Sequence, residues 1–174
     1  MTKRLLILDQ ASLKTGFAVW VPGSPPLLGR NTLPNTGEDI GLFLAKFERW
    51  FDDMCIMHKI NIAAFEVPWV GAKTNQNTAR KLMSLAGFIE YLCTKRDIYC
   101  TEAVVRDWRR HFIGSGNLKR ELAQRRTMDE CVARGIEPRN QDEADAFGIL
   151  DYTAYTLEIE PDWAKHALLA KRAS

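Results

Sequence analysis

Four carboxylates stand where the chain could hold a hard cation. Asp9 is the first polar residue after the apolar run Leu5-Leu6-Ile7-Leu8, and Glu66 closes a second run, Ile62-Ala63-Ala64-Phe65. Acids at strand ends in open α/β sheets reach the crevice that the loops shape, and they converge if their strands are neighbours. Asp142 and Asp145 lie in Gln141-Asp142-Glu143-Ala144-Asp145-Ala146-Phe147, and i, i+3 spacing puts both on one helix face. Phe147, Ile149 and Leu150 follow at once, so this helix is expected to pack on the core with its acids toward the sheet edge. The four donors are all oxygen, which suits Mg²⁺ or Mn²⁺. Two such ions can activate water and stabilise the leaving oxygen of a phosphodiester. Without metal these carboxylates would repel one another and any phosphate.

Each acid also has a purely structural reading. Asn140 with Glu143 has the spacing of a capping box, and Asp142 would then sit in the first helical turn, where the dipole favours an acid. Asp145 lies a turn deeper, where that argument weakens. Glu66 could end its strand as a solvated acid. Asp9 is hardest to read this way, because a lone acid closing a buried strand needs a partner. Glu143 is expected to point away from its neighbours, into solvent.

The elements that must position these acids follow from periodicity. Residues 5–8 read as a strand buried on both faces. A turn is expected around Lys14-Thr15-Gly16, then a strand over 17–21, a loop forced by Pro22-Gly23-Ser24-Pro25-Pro26 and a weaker strand over 27–33. Ile40, Phe43, Leu44, Phe47, Trp50, Phe51 and Met54 have helical spacing, with Thr36 and Asp39 as the N-terminal cap. The strand 62–65 ends at Glu66, and a helix bearing Leu82, Leu85, Ala86, Ile89, Leu92 and Cys93 follows. A short strand is expected over 98–100. Three helical stretches complete the chain: near 104–111, from Leu118 to Gly135, and from after Asn140 to about Glu160, where Pro161 stops it. The order predicts a mixed α/β sheet of about five strands flanked by helices. One domain over 1–174 is expected, with a C-terminal tail at 161–174.

Composition narrows the function classes. The hydrophobic fraction is 46% and the charged fraction 26%, ordinary for a globular protein. No apolar run approaches the roughly 18 residues of a membrane span. The apolar run after Met1-Thr2-Lys3-Arg4 is too short for a signal-peptide core, so a cytoplasmic protein with no membrane partner is expected. Cys55, Cys93, Cys100 and Cys131 form no C-x-x-C pair and stand at no zinc-ligand spacing, so they are read as reduced thiols. His58, His111 and His166 show no ligand spacing either.

The net charge is only +2, but its distribution is uneven. Between Arg106 and Arg126 stand Arg106, Arg109, Arg110, Lys119, Arg120, Arg125 and Arg126 against Asp107 and Glu121 alone. Between Val67 and Ile89 stand Lys73, Arg80 and Lys81 and no acid. Both stretches flank the acids in sequence, and such clusters bind phosphate backbones; the other reading is a solvated helix face. Trp69 lies between Pro68 and Gly71, in a loop, where it could stack on a base or pack on its own domain. The remaining tryptophans read as structural. Gly114-Ser115-Gly116 lacks the Lys-Ser/Thr ending of a P-loop, so no nucleotide cofactor is expected.

Together these motifs resemble the RuvC-type Holliday junction resolvases. Leu5-Leu6-Ile7-Leu8-Asp9, with Ser12 and Thr15-Gly16-Phe17-Ala18-Val19, is similar to their opening hairpin. Ala64-Phe65-Glu66-Val67-Pro68-Trp69, with Lys73, Asn75 and Leu85-Ala86-Gly87, is similar to their second acidic motif. Asp142-Glu143-Ala144-Asp145-Ala146 resembles their terminal acidic helix. The likeness spans roughly residues 4–155. It implies a ribonuclease H-like fold, a homodimer and Mg²⁺-dependent symmetric nicking of four-way DNA junctions, leaving ligatable 5′-phosphate and 3′-hydroxyl ends. It carries the catalytic and metal-binding roles to Asp9, Glu66, Asp142 and Asp145, with two Mg²⁺ per site and Mn²⁺ as a substitute. It gives Trp69 a place in junction opening and makes Lys119 a basic residue of functional weight. Lys73, Arg80, Lys81, Arg109, Arg110 and Arg120 complete the expected DNA surface. The chain departs from the family at Asp9-Gln10-Ala11-Ser12, where Asp-Pro-Gly-Ser is usual, and fits it loosely over 107–117, as a divergent, phage-encoded member would.

Three alternatives stay open: a ribonuclease H-like enzyme acting on RNA or RNA–DNA hybrids, a non-catalytic nucleic-acid-binding module of this fold, and a phosphotransferase of the actin and sugar-kinase type. The last needs two such domains around a nucleotide, and 174 residues are too few.

Overall fold

Alternation along each strand decides which helices meet which face of the sheet. In the computed structural model, β1 (Leu5–Asp9) lies at the centre of a five-stranded sheet. Around it are β2 (Lys14–Trp20), β3 (Leu27–Thr32), β4 (Ile62–Glu66) and β5 (Tyr99–Ala103), in the order β3-β2-β1-β4-β5. The structure describes residues 2–11, 13–72, 74–161 and 163. Ser12, Lys73, His166 and all of the expected tail except Pro161 and Trp163 lie outside them. The first three strands are antiparallel neighbours, and β4 and β5 run parallel to β1. The sheet is mixed, as the element order predicts.

Leu6, Leu8, Val19, Ala63 and Phe65 share one face with Phe43, Phe47 and Phe51 of α1 (Ile40–His58) and Leu85, Ile89 and Leu92 of α2 (Gln76–Lys95). Leu5, Ile7, Ala18, Trp20, Ile62 and Ala64 share the other. Against that second face lie α3 (Val105–Ile113), α4 (Arg120–Ala133) and α5 (Gln141–Thr156), with Trp108, Phe112, Cys131, Phe147, Ile149 and Leu150 in the core. Both faces of β1 are covered, which is why its sequence is apolar without interruption. All four cysteines are free.

Several boundaries differ from the sequence expectations. Lys14-Thr15-Gly16 is strand rather than turn, because Gly16 joins ladders on both sides, opposite Asp9 and opposite Arg30. Asp39, not Thr36, caps α1 by accepting the Leu42 N–H at 2.8 Å. Strand β5 continues to Ala103, and α5 ends at Thr156, before Pro161 could stop it.

Helix α3 reaches its place through a gap in α5. A β-carbon at Gly148 would lie 2.8 Å from the Trp108 ring and 3.1 Å from that of Phe112, and both rings are buried. Gly148→Val is therefore expected to destabilise the fold by about 1–3 kcal/mol through overpacking, read as a lower urea midpoint with an unchanged slope. An unchanged midpoint would show that α3 can retreat at no cost.

Candidate active site

One transverse row of the sheet brings two of the four acids side by side. Asp9 stands opposite Gly16 and Glu66 opposite Ala103. Asp9 continues the alternation of Leu5 and Ile7, and Glu66 that of Ile62 and Ala64. Both acids thus fall on the face that meets α3 and α5, at the ends of neighbouring parallel strands. Gln10 ties these ends together by donating its Nε2 to the Glu66 carbonyl at 2.8 Å.

Helix α5 brings the other two acids. Asn140 caps it, accepting the Glu143 N–H at 3.1 Å. The helix presses on β2 at Gly16, where any β-carbon would collide with the Asp142 carbonyl. This close approach sets Asp142 and Asp145 beside the strand ends. Asp142 pairs with Arg30 at 3.5 Å. Asp145 accepts from Gln141 at 2.5 Å and lies 3.8 Å from the Arg109 guanidinium. Trp108 donates its indole N–H to Glu66 at 2.8 Å, so this tryptophan is part of the site and not only of the core.

Asp9 feels the charges of the other three acids. Burial, and then the charges of Glu66, Asp145 and Asp142, hold Asp9 well above the usual carboxylate range; Arg109 opposes this. Burial pushes Glu66 up to about 7 despite the Trp108 hydrogen bond. Burial pushes Asp145 up to about 6 against the pull of Gln141 and Arg109. Partly buried like charges in this pattern are relieved by a cation, and an all-oxygen set suits a hard one. Among the described residues no three acids, imidazoles or thiols are already drawn together tightly enough to grip an ion. Two of the four acids are engaged by guanidiniums instead.

No protein-family model matches the chain, and no curated protein matches it at a significant level. Solved structures do match. RuvC of T. thermophilus bound to a Holliday junction substrate superposes with a TM-score of 0.64 at 14% identity, over 84% of this chain and 90% of that one. Thermus thermophilus RuvC in a second structure gives 0.62 at the same identity and coverage. The yeast mitochondrial Holliday junction resolvase Ydc2 gives 0.55 at 11% identity, over 98% of this chain and 83% of that one. The chain has the fold of the RuvC-type resolvases.

On this RuvC-type frame the expected basic residues part company. Arg80, Arg110, Lys119 and Arg120 are exposed. Arg109 lies within the acid site, stacked over Trp108 at 5.1 Å. Lys81 departs from its expected place on a DNA-facing surface. It is 5% exposed, on the inner side of α2, with its ammonium 5.3 Å over the Phe43 ring. Glu143 is likewise not solvent-facing. It is 3% exposed, accepting the Arg139 N–H at 2.8 Å and pairing with the Arg139 side chain at 3.3 Å. Trp69 is 78% exposed, three residues beyond Glu66, with its indole folded over Gly71. Gln10, Trp108 and Arg30 are the neighbours that sequence reasoning missed, since their contacts cross between elements. His111, given no role, joins a buried network instead: it and Arg134 both contact Asp151, at 2.9 and 2.6 Å.

These upward shifts couple stability to pH. Folded Glu66 and Asp145 keep their protons to about 7 and about 6, against ordinary values of 4.5 and 3.8. The folded state is therefore favoured at low pH and loses that advantage as pH rises through this window. For Asp145 the roughly two-unit shift corresponds to on the order of 3 kcal/mol. In EDTA the Tm should fall between about pH 4 and pH 7, and Asp145→Asn should flatten the fall and melt above the native chain at about pH 7. A variant melting lower there would show that the Gln141 contact outweighs burial.

Proposed function

We propose that the chain is a divalent-cation-dependent endodeoxyribonuclease that nicks four-way or otherwise branched DNA as a homodimer. The observation that carries this reading is the meeting of Asp9 and Glu66, on neighbouring strand ends, with the Asp142 and Asp145 end of α5 on a RuvC-type sheet. A related structure bound to a Holliday junction substrate supports the choice of substrate.

Asp9, Glu66, Asp142 and Asp145 would hold the cations. Mg²⁺ in such a set supplies Lewis acidity at the scissile phosphate and lowers the pKa of attacking water. The chain's own residues do the rest. Trp108 fixes the Glu66 carboxylate by its indole N–H, while Gln10 fixes the strand end that carries it. Arg109, at 3.8 Å from Asp145 and partly exposed, stands where it can meet the charge that grows on the phosphate in attack. Exposed Arg80, Arg110, Lys119 and Arg120 supply cations for the flanking backbone. Trp69, exposed three residues after Glu66, offers a face on which an unpaired base can stack.

Labelled four-way junction, linear duplex and RNA–DNA hybrid, each with Mg²⁺ or EDTA, test the proposal. Paired ligatable nicks are expected on the junction alone, in Mg²⁺ alone. Asp145→Asn should lower the rate by at least about a thousandfold, the scale seen when an essential catalytic group is lost, and leave junction binding in place. Tight binding without cutting would leave a non-catalytic binding module, and preferred cutting of the hybrid would move the substrate to RNA.

A further inference from the structure

The row of the sheet that carries Asp9 ends in a cation. Asp9 pairs with Gly16, and Gly16 with Arg30. Residues directly opposite across strands face the same side, so Arg30 and Asp9 look out on one face with only a glycine between them. Helix α5 fills that glycine's gap with the Asp142 main chain. This brings Nη1 of Arg30 to 3.5 Å from Oδ2 of Asp142, with the two side chains 37% and 35% exposed. Such a half-exposed pair is weak and readily exchanged.

Arg30 therefore covers an oxygen that a cation would need. Strand β3 is an edge of the sheet, so a DNA strand can approach it from outside. A guanidinium is the group best shaped to grip a phosphate there. The nearby Arg139 is already committed, to Glu143 and to the Leu28 carbonyl at 3.3 Å.

Resting on the reading of the four acids as a cation site on a DNA nuclease, we propose that Arg30 exchanges partners. It neutralises Asp142 while the site lacks a cation, and it binds a backbone phosphate once a cation takes Asp142. Arg30 is thus a positioning residue in one state and a substrate contact in the other.

Arg30→Gln tests both halves, with Arg139→Gln as the control that removes the same charge nearby. In Mn²⁺ titrations without DNA, followed by the paramagnetic resonance of free Mn²⁺, Arg30→Gln should bind the ion up to about fivefold tighter, the upper range for a half-exposed pair; the control should not. In junction binding with Ca²⁺, Arg30→Gln should weaken affinity and lower the salt slope by about one. In EDTA it should match the native chain. Unchanged or weaker Mn²⁺ binding overturns the exchange at Asp142. An equal loss of DNA affinity in Ca²⁺ and EDTA overturns the switch in favour of a constant contact. A native chain that fails to bind junction at all sinks the nuclease reading and the phosphate half with it, while the Mn²⁺ arm still decides the Asp142 half.

Discussion

The structure depends on holding several carboxylates together in one partly buried site. Asp9 sits on the central strand with Glu66, Asp145 and Asp142 all raising the cost of its charge. Burial is the largest contribution at Asp9, Glu66 and Asp145, so the fold has set acids where water cannot solvate them fully. A protein tolerates this only where a cation or a set of donors answers the charge. Here Arg109, Arg30, Trp108 and Gln141 answer it in part.

Two glycines make the convergence possible. At Gly16 the absent side chain lets α5 touch β2, which puts the capped start of that helix over the strand ends. At Gly148 the same device lets α3 lie against α5, and this aims the Trp108 indole at Glu66. Each glycine replaces a possible core contact with a close approach of backbone or ring. The acids are separated by long stretches of sequence and brought together by these two approaches. The placement of the four acids is then a matter of packing as much as of residue type.

The basic residues illustrate what charge counting in a sequence can and cannot resolve. Arg80 and Lys81 are adjacent, yet one is exposed and the other lies buried over Phe43. A helix turns about 100° per residue, so neighbours in a charge cluster fall on different faces. Arg109 and Arg110 divide in the same way, the first into the acid site and the second toward Asp107 at 3.8 Å in the open. Glu143 stands between two site acids and is buried among other partners.

Residue order was enough to place the strands that end in Asp9 and Glu66, the helix face shared by Asp142 and Asp145, and the mixed sheet with helices on it. These follow from local periodicity, where apolar spacing fixes which side of an element must leave water. It also carried the likeness to RuvC-type proteins, through motif order and not through overall identity. Tertiary structure alone decided that Lys14-Thr15-Gly16 is strand, that Trp108 binds Glu66, that Arg30 reaches Asp142 and that Lys81 is buried. Each of these depends on a contact between residues far apart in the chain, and the pairing of β2 with both neighbours and the fit of α3 against α5 create those contacts. Local pattern cannot encode them, because the energy that selects them exists only once the elements have packed.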